Sequence, residues 1–446
     1  MNPHPRLGAA SVAVPLSPAQ AGMWYGHHLD PTGRRHTVAE CLEIRGPLDI
    51  KALLAAFRLM VAETDAYRVV SVGGVAGVDQ LVSDDPDVFP LHVRDLTPTA
   101  EPELAAAAAM RADLAAPIDL GSGPLTHSTL FKVGTDRFRW YLRGHHLTCD
   151  AYGNRLTCRR VAEVYSATTS GRPVPPRTFG TLGDLLAEDG AYRASADWTA
   201  DREYWRRQLD GCPPPVRLGA VEQAPRPEVV RSTTQVATST AARLRGTAAA
   251  TRTPWPVWMV AATAAYLHRT TGQRDIVLGM LVSGRRTRLA RHTPGMTANV
   301  LPVRIRIEPG RPLAQMVPPV WAAMSEALKH QRYRYEDMRR DLGLSAADPG
   351  ILGPLINVLT YDTPLDFGAL RSTVHNLAVG PTDDLSIIVY DRDDRLRVGL
   401  DGNAGWYGQG DLLNHRDGLL TFLDMALRDP AGPLSKPAAH DPADVR

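Results

Sequence analysis

The chain has 446 residues, 44% of them apolar and 22% charged, with a formal net charge of +2. That length is large for one hydrophobic core and predicts two lobes. So small a net charge argues against a nucleic-acid partner, and the four lysines, Lys51, Lys132, Lys329 and Lys436, leave a basic surface made almost wholly of arginine.

Residues 1–15 read as a loose tail. Pro15-Leu16-Ser17-Pro18-Ala19-Gln20 opens a helix through Trp24 and Tyr25 that stops at Asp30-Pro31-Thr32-Gly33. Residues 41–45 alternate as a strand. Leu48-Asp49 leads into a helix over 50–62, with Leu53, Leu54, Phe57, Met60 and Val61 on one stripe. A strand holding Val69, Val70 and Val72 follows, then an alanine-rich helix over 100–115. Residues 125–132 and 137–147 read as adjacent strands joined at Gly134-Thr135-Asp136.

In the second of these strands Phe138, Trp140, Leu142 and Gly144 alternate with Arg139, Tyr141 and Arg143. The strand delivers His145 and His146, and Asp150 follows in the next loop. Successive strand side chains point to opposite faces, so the two histidines have different surroundings. His146 shares parity with the apolar face and is expected beside a cavity. His145 shares parity with the arginines and is expected to support it from behind.

A helix carrying Leu156, Val161, Val164 and Tyr165 comes next. The Gly- and Pro-rich stretch 170–179 marks the lobe boundary. A polar helix over 191–209, with Trp198, Tyr204 and Trp205, reads as a bridge, and 213–227 as a second linker. The remainder predicts helices at 255–270, 313–333 and 412–427, and strands at 275–280, 301–307, 355–361, 384–390 and 395–400. This divides the chain into a tail (1–15), an N-terminal lobe (16–180), a C-terminal lobe (181–430) and a linker-like tail (431–446). Each lobe is α/β.

Imidazole titrates near neutrality, so His146 can take a proton from an amine or hydroxyl attacking a carbonyl. Metal binding is disfavoured, because the two histidines diverge and no second cluster supplies ligands. Cys41, Cys149, Cys158 and Cys212 have neither CxxC nor zinc-finger spacing. No GxSxG elbow and no phosphate-binding glycine loop is present. His27-His28, at a helix end, reads as a surface pair. The N-terminus lacks the apolar core of a signal peptide, and the longest apolar-leaning stretch, 255–267, is too short to span a bilayer. A cytoplasmic protein with reduced thiols and no membrane partner is expected.

Several stretches, in order, resemble the condensation domains of nonribosomal peptide synthetases. LSPAQAGMWYGHHLDP (16–31) resembles their opening S-x-A-Q-x-x-x-W motif, and CLEIRGPLDIKALLAAFRLMV (41–61) their strand, G-x-L-D turn and helix. HHLTCDA (145–151) is similar to the HHxxxDG signature. MLVSGRRTRLARHTPGMTANVLPVRIRI (280–307), RYEDMRRDLG (334–343) and PLINVLTYD (354–362) resemble later elements.

The resemblance implies two chloramphenicol-acetyltransferase-like α/β lobes, a V-shaped pseudo-dimer, and attack of a carrier-bound aminoacyl amine on a carrier-bound acyl thioester. Donor and acceptor carrier proteins would be the partners, beside an adjoining adenylation domain. They would bring 4'-phosphopantetheine arms, with no covalently bound cofactor in this chain. His146 corresponds to the histidine that promotes transfer. His145 and Asp150 complete the signature, with Asp150 held by an arginine of the other lobe, here Arg285. Asn357 and Arg68 match supporting positions, and Ala151, Tyr152, Gly153 and Asn299 match the substrate channel.

Two departures stand out. Ala151 replaces the signature glycine, adding a methyl group where the family keeps room; alanine tolerates most backbone conformations except positive φ. The early R-H-E-x-L-R motif is reduced to Glu63-Thr64-Asp65-Ala66-Tyr67-Arg68. With the PGMTANVLPVR run, that divergence points to a starter-type domain that acylates a first residue. The alternatives are an ester-forming acyltransferase of the same superfamily, using acyl-CoA or a carrier thioester, and a non-catalytic docking domain. Asp366-Phe367-Gly368 matches part of the plant-type DFGWG motif but lacks its WG.

Overall fold

The computed structural model describes residues 11–30, 32–73, 78–219, 226, 228–344, 348, 350–359, 365–392 and 395–433. The chain runs β1 (Ser11–Pro15), α1 (Pro18–His28), β2 (Thr37–Arg45), α2 (Ile50–Glu63), β3 (Val69–Gly73), β4 (Asp79–Ser83), β5 (Leu91–Asp95), α3 (Pro102–Leu114), β6 (Thr126–Gly134), β7 (Arg137–His145), α4 (Ala151–Thr169) and α5 (Leu182–Arg193). It continues as α6 (Ala196–Leu209), β8 (Val229–Gln235), α7 (Thr238–Ala250), α8 (Trp255–Thr271), β9 (Asp275–Val282), α9 (Arg288–Arg291) and β10 (Asn299–Arg306). Last come α10 (Leu313–Lys329), α11 (Tyr335–Asp341), β11 (Leu355–Leu359), β12 (Arg371–Val379), β13 (Leu385–Arg392), β14 (Arg395–Asn403) and α12 (Gln409–Arg428).

Two compact units result, and they are not separated by one cut. The first runs to Ser195 and takes in Ser283–Ala298 and 365–381; the second holds the rest. The boundary expected after residue 180 therefore moves, for identifiable reasons. The backbone N–H of Leu182 donates to Asp65 Oδ2 at 3.0 Å, and Leu182 is buried in the first unit's core. The polar helix expected over 191–209 is two helices, α5 and α6, and the break between them falls where the first unit ends. The tail also shortens, because β1 pairs antiparallel with β4. Strand residues 360–361, much of the 213–227 linker and all but the start of the 431–446 tail lie outside the described residues.

The first unit is built on a five-stranded sheet in the order β12-β2-β7-β6-β5. Its alternation sorts side chains between two faces. Leu42, Ile44, Leu130, Phe138 and Trp140 pack with α2 and α4 in one core. Ala39, Phe131, Val133 and Tyr141, of opposite parity, pack with Ala106 of α3 in another. The β6–β7 hairpin closes where expected, with Gly134 opposite Arg137. Phe367 of the Asp-Phe-Gly stretch is 1% exposed and packs edge-on against Trp140 and Tyr165, so it belongs to the core.

The second unit holds a six-stranded sheet in the order β10-β9-β11-β13-β14-β8. β11 runs parallel to both β9 and β13. Helix α8 is buried almost all round, which explains its near-continuous apolar sequence, and its core includes Trp205, Trp258 and Tyr407. Among the described residues no helix is long and apolar enough to cross a membrane.

Candidate active site

Strand register assembles the site. β7 pairs with β2 so that Thr37 lies opposite His145. One residue further along, the His146 N–H donates to the His36 carbonyl at 2.8 Å. On the other side of β2, Val379 of β12 lies opposite Val38, which carries Gly380 towards the same point.

The two adjacent histidines have different surroundings. His145 is 1% exposed, and its Nδ1 accepts the Leu147 N–H at 3.1 Å. Its proton is therefore on Nε2, which donates to His27 Nδ1 at 3.2 Å. Burial holds the His145 pKa well below its ordinary value, and His36, His27 and His146 add to this. His27, read from sequence as a surface residue, thus turns inward, while His28 is exposed and bonds only back to Trp24 O.

His146 is half-buried. Its Nδ1 is enclosed and makes no hydrogen bond. Burial lowers its pKa, against the opposing pull of nearby backbone groups and the Asp150 charge. The imidazole is therefore neutral near pH 7 and able to accept a proton. His36 lies alongside, 6% exposed, with both ring nitrogens unpartnered and its pKa lowered to about 3, chiefly by burial.

Asp150 sits on the other side of the loop and is saturated with partners. It caps α4 by accepting the Gly153 N–H at 2.8 Å. Its Oδ2 accepts from Arg285 Nη1 at 2.5 Å and from the N–H groups of Thr297 and Ala298, each at 3.0 Å. Burial alone would raise the Asp150 pKa, but the Arg285 charge and these donors outweigh it, and the net shift is downward. Arg285 also donates to Gly295 O at 2.9 Å. Its segment belongs to the first unit, so the partner expected from the other lobe comes from the same compact unit as Asp150.

The remaining expected residues divide. Tyr152 lays its ring over the Arg285 guanidinium at 4.8 Å and donates from its hydroxyl to Arg291 O at 3.3 Å, so it covers the ion pair. Gly153 is needed for close approach, since a Cβ there would lie 2.4 Å from Cys149 Sγ and 3.1 Å from Gly295 N. Ala151 is exposed at the first turn of α4, and the only described non-glycine residue with positive φ is Arg252. Alanine therefore carries no backbone strain at the position where the signature has glycine. Arg68 is a brace, donating to Ser83 O and Asp65 Oδ1.

Asn299 and Asn357 lie in the second unit. The Asn299 amide donates to Gln331 O and Tyr333 O and accepts from Val300 N–H and Tyr335 N–H. With every polar group engaged and 4% exposure it is a staple, not the channel residue expected. Asn357 is half-buried in β11, opposite Ile388 of β13. Sequence reasoning missed His27, His36 and Gly380; the last two are placed beside His146 by strand register.

The site thus sets a half-buried imidazole at the end of a sheet strand beside a helix-capping aspartate locked by arginine, in a chain of two α/β units. The family model for the condensation domain matches residues 11–444. The chain belongs to the condensation-domain family, acyltransferases that form amide bonds in nonribosomal peptide synthesis and work with carrier-protein domains.

It is 36% identical over 415 residues to a dimodular nonribosomal peptide synthase of Bacillus subtilis, covering 92% of this chain and 17% of that protein. It is also 36% identical over 418 residues to an isonitrile lipopeptide synthase of Streptomyces coeruleorubidus, covering 93% of this chain and 28% of that protein. The chain thus spans less than a third of either curated relative. Among solved structures, the starter condensation domain of rhizomide synthetase matches with a TM-score of 0.86 and 32% identity, over 95% of this chain and 96% of that one. The first condensation domain of the calcium-dependent antibiotic synthetase matches with a TM-score of 0.85 and 35% identity, over 95% and 98%.

Proposed function

We propose that this chain acts as a starter-type condensation domain, joining an acyl thioester on a donor carrier to the amine of an aminoacyl group on an acceptor carrier. The observation that carries this reading is His146, a neutral imidazole of lowered pKa on a loop that Asp150 and Arg285 hold rigid. The rhizomide synthetase domain was solved with C8-CoA and Leu-SNAC. By likeness to it, a fatty-acyl donor is the class proposed here.

The carrier phosphopantetheine arms would bring both reactants to His146. The amine nitrogen attacks the thioester carbonyl, a C–N bond forms, the C–S bond breaks, and the departing thiolate takes a proton. His146 accepts the proton lost by the amine and passes one on to the sulfur. If the amine arrives as ammonium, the extra proton leaves to solvent. Holding two tethered reactants in line supplies about 7–11 kcal/mol of the barrier reduction, the larger share of the gain. The base itself contributes about 10²–10⁴-fold. His145, Asp150 and Arg285 act by fixing the loop.

The test offers the protein donor carriers loaded with straight-chain acyl groups from acetyl to dodecanoyl, and acceptor carriers loaded with each proteinogenic amino acid. Intact mass of the acceptor reads transfer. Acceptors gaining one acyl mass, with the increment resistant to thioester cleavage by hydroxylamine once the aminoacyl group is released, support the reading. No gain from any pair contradicts it, and transfer from acyl-CoA to a free alcohol without a carrier favours the ester-forming alternative.

A further inference from the structure

Gly380 lies at the end of β12, in a segment that joins the first unit from far along the chain. Its φ is +92°, a region open mainly to glycine. A Cβ built on it would lie 2.8 Å from His146 Cδ2 and 3.6 Å from Nε2. Carbon atoms rest at about 3.5–4.0 Å, so one added methyl pushes the ring by roughly 1 Å.

Nδ1 of the ring bonds to nothing, and the residue is held through its backbone N–H to His36 O. With Nδ1 unpaired, packing contributes to the ring's orientation, and the backbone at Gly380 lies against its Cδ2–Nε2 edge.

We propose that Gly380 is the positioning residue for His146: the missing side chain sets the ring's orientation and leaves Nε2 open to the reacting amine. This rests on the acyl-transfer reading above, but the contact can be tested apart from it. β12 supplies the register and β2 transmits it, so the base is placed from two strands that flank it rather than from its own loop alone. A displacement of about 1 Å can cost about 10²-fold in rate.

The experiment compares Gly380→Ala with Gly368→Ala in the full chain. Gly368 lies on the same segment with φ +68°, but a Cβ there would meet only Ser166 Oγ, at 3.8 Å. Both substitutions strain the backbone; only the first touches the imidazole. Gly380→Ala is expected to lower kcat for acyl transfer by about 10²-fold with little change in KM for either carrier. Gly368→Ala should keep near-native kcat. Equal kcat in the two variants overturns the proposal.

Melting temperatures read the contact independently of activity. Gly380→Ala should lower Tm markedly in the native background and much less in His146→Ala, where the ring is gone. Equal Tm losses in both backgrounds, or failure to fold in both, assign the effect to backbone strain and overturn the proposal. If His146→Ala instead transfers acyl groups at the native rate while the Tm coupling persists, the acyl-transfer reading has failed and the contact has not.

Discussion

The two sides of the His145–Asp150 loop treat buried polar atoms in opposite ways. On the Asp150 side the carboxylate accepts from an arginine and three backbone N–H groups, and Tyr152 covers the pair. On the histidine side His36 has two unpartnered nitrogens and His146 one. A buried polar group with all its partners rigidifies, whereas one left without them is costly and is kept where chemistry uses it. The contrast falls within six residues of sequence and, on the reading proposed above, separates scaffold from reacting group.

The largest expected effect breaks the scaffold. Asp150→Ala strands Arg285, whose side chain is 0% exposed, and should cost about 3–5 kcal/mol in urea unfolding. Asp150→Ala with Arg285→Met should recover part of that loss. A cost for the single substitution below about 1 kcal/mol would mean that the pair does not hold the loop.

Acid should act on the other side. His36 is held to about 3 in the folded chain against 6.5 for an ordinary histidine. Below 6.5 the unfolded chain binds a proton that the folded chain refuses, so stability falls as pH drops, by about 1.4 kcal/mol per pH unit for this group. Fully neutral above that range, His36 contributes no slope there. His36→Phe should flatten the acid limb measured by urea midpoints from pH 7 to pH 4, and an unchanged slope would remove His36 from the account.

Smaller effects sharpen the boundary. Tyr152→Leu removes the ring over Arg285 and should destabilise by about 1 kcal/mol, with Tyr152→Phe close to native. Ala151→Gly should cost no more than about 0.5–1 kcal/mol and leave the transfer rate unchanged, because Ala151 is exposed and unstrained. A large gain in rate would show that the alanine methyl obstructs the site.

Much of this was legible in the residues. Alternation in β7 and the Gly134-Thr135-Asp136 turn are local signals, whereas the helix cap made by Asp150 was not read from the sequence. The Asp150–Arg285 pair followed only from family resemblance, since the two residues lie far apart in sequence and no local rule joins them. β12 was missed because Arg371–Val379 is mostly half-buried and carries no clean alternation; pairing with β2 makes it a strand. His27 was misjudged because a helix end before Asp-Pro looks exposed, whereas its Nδ1 meets His145 Nε2 at 3.2 Å. Asn299 shows the converse: its place in a recognised motif suggested a channel, whereas its bonds to the 331–335 stretch show a staple.

The most direct measurement of the central claim is acyl transfer between loaded carriers by His146→Ala, read by intact mass alongside its urea midpoint. The account predicts a fall of about 10²–10⁴-fold in rate with the midpoint near native. Transfer at the native rate by a folded His146→Ala protein would contradict it.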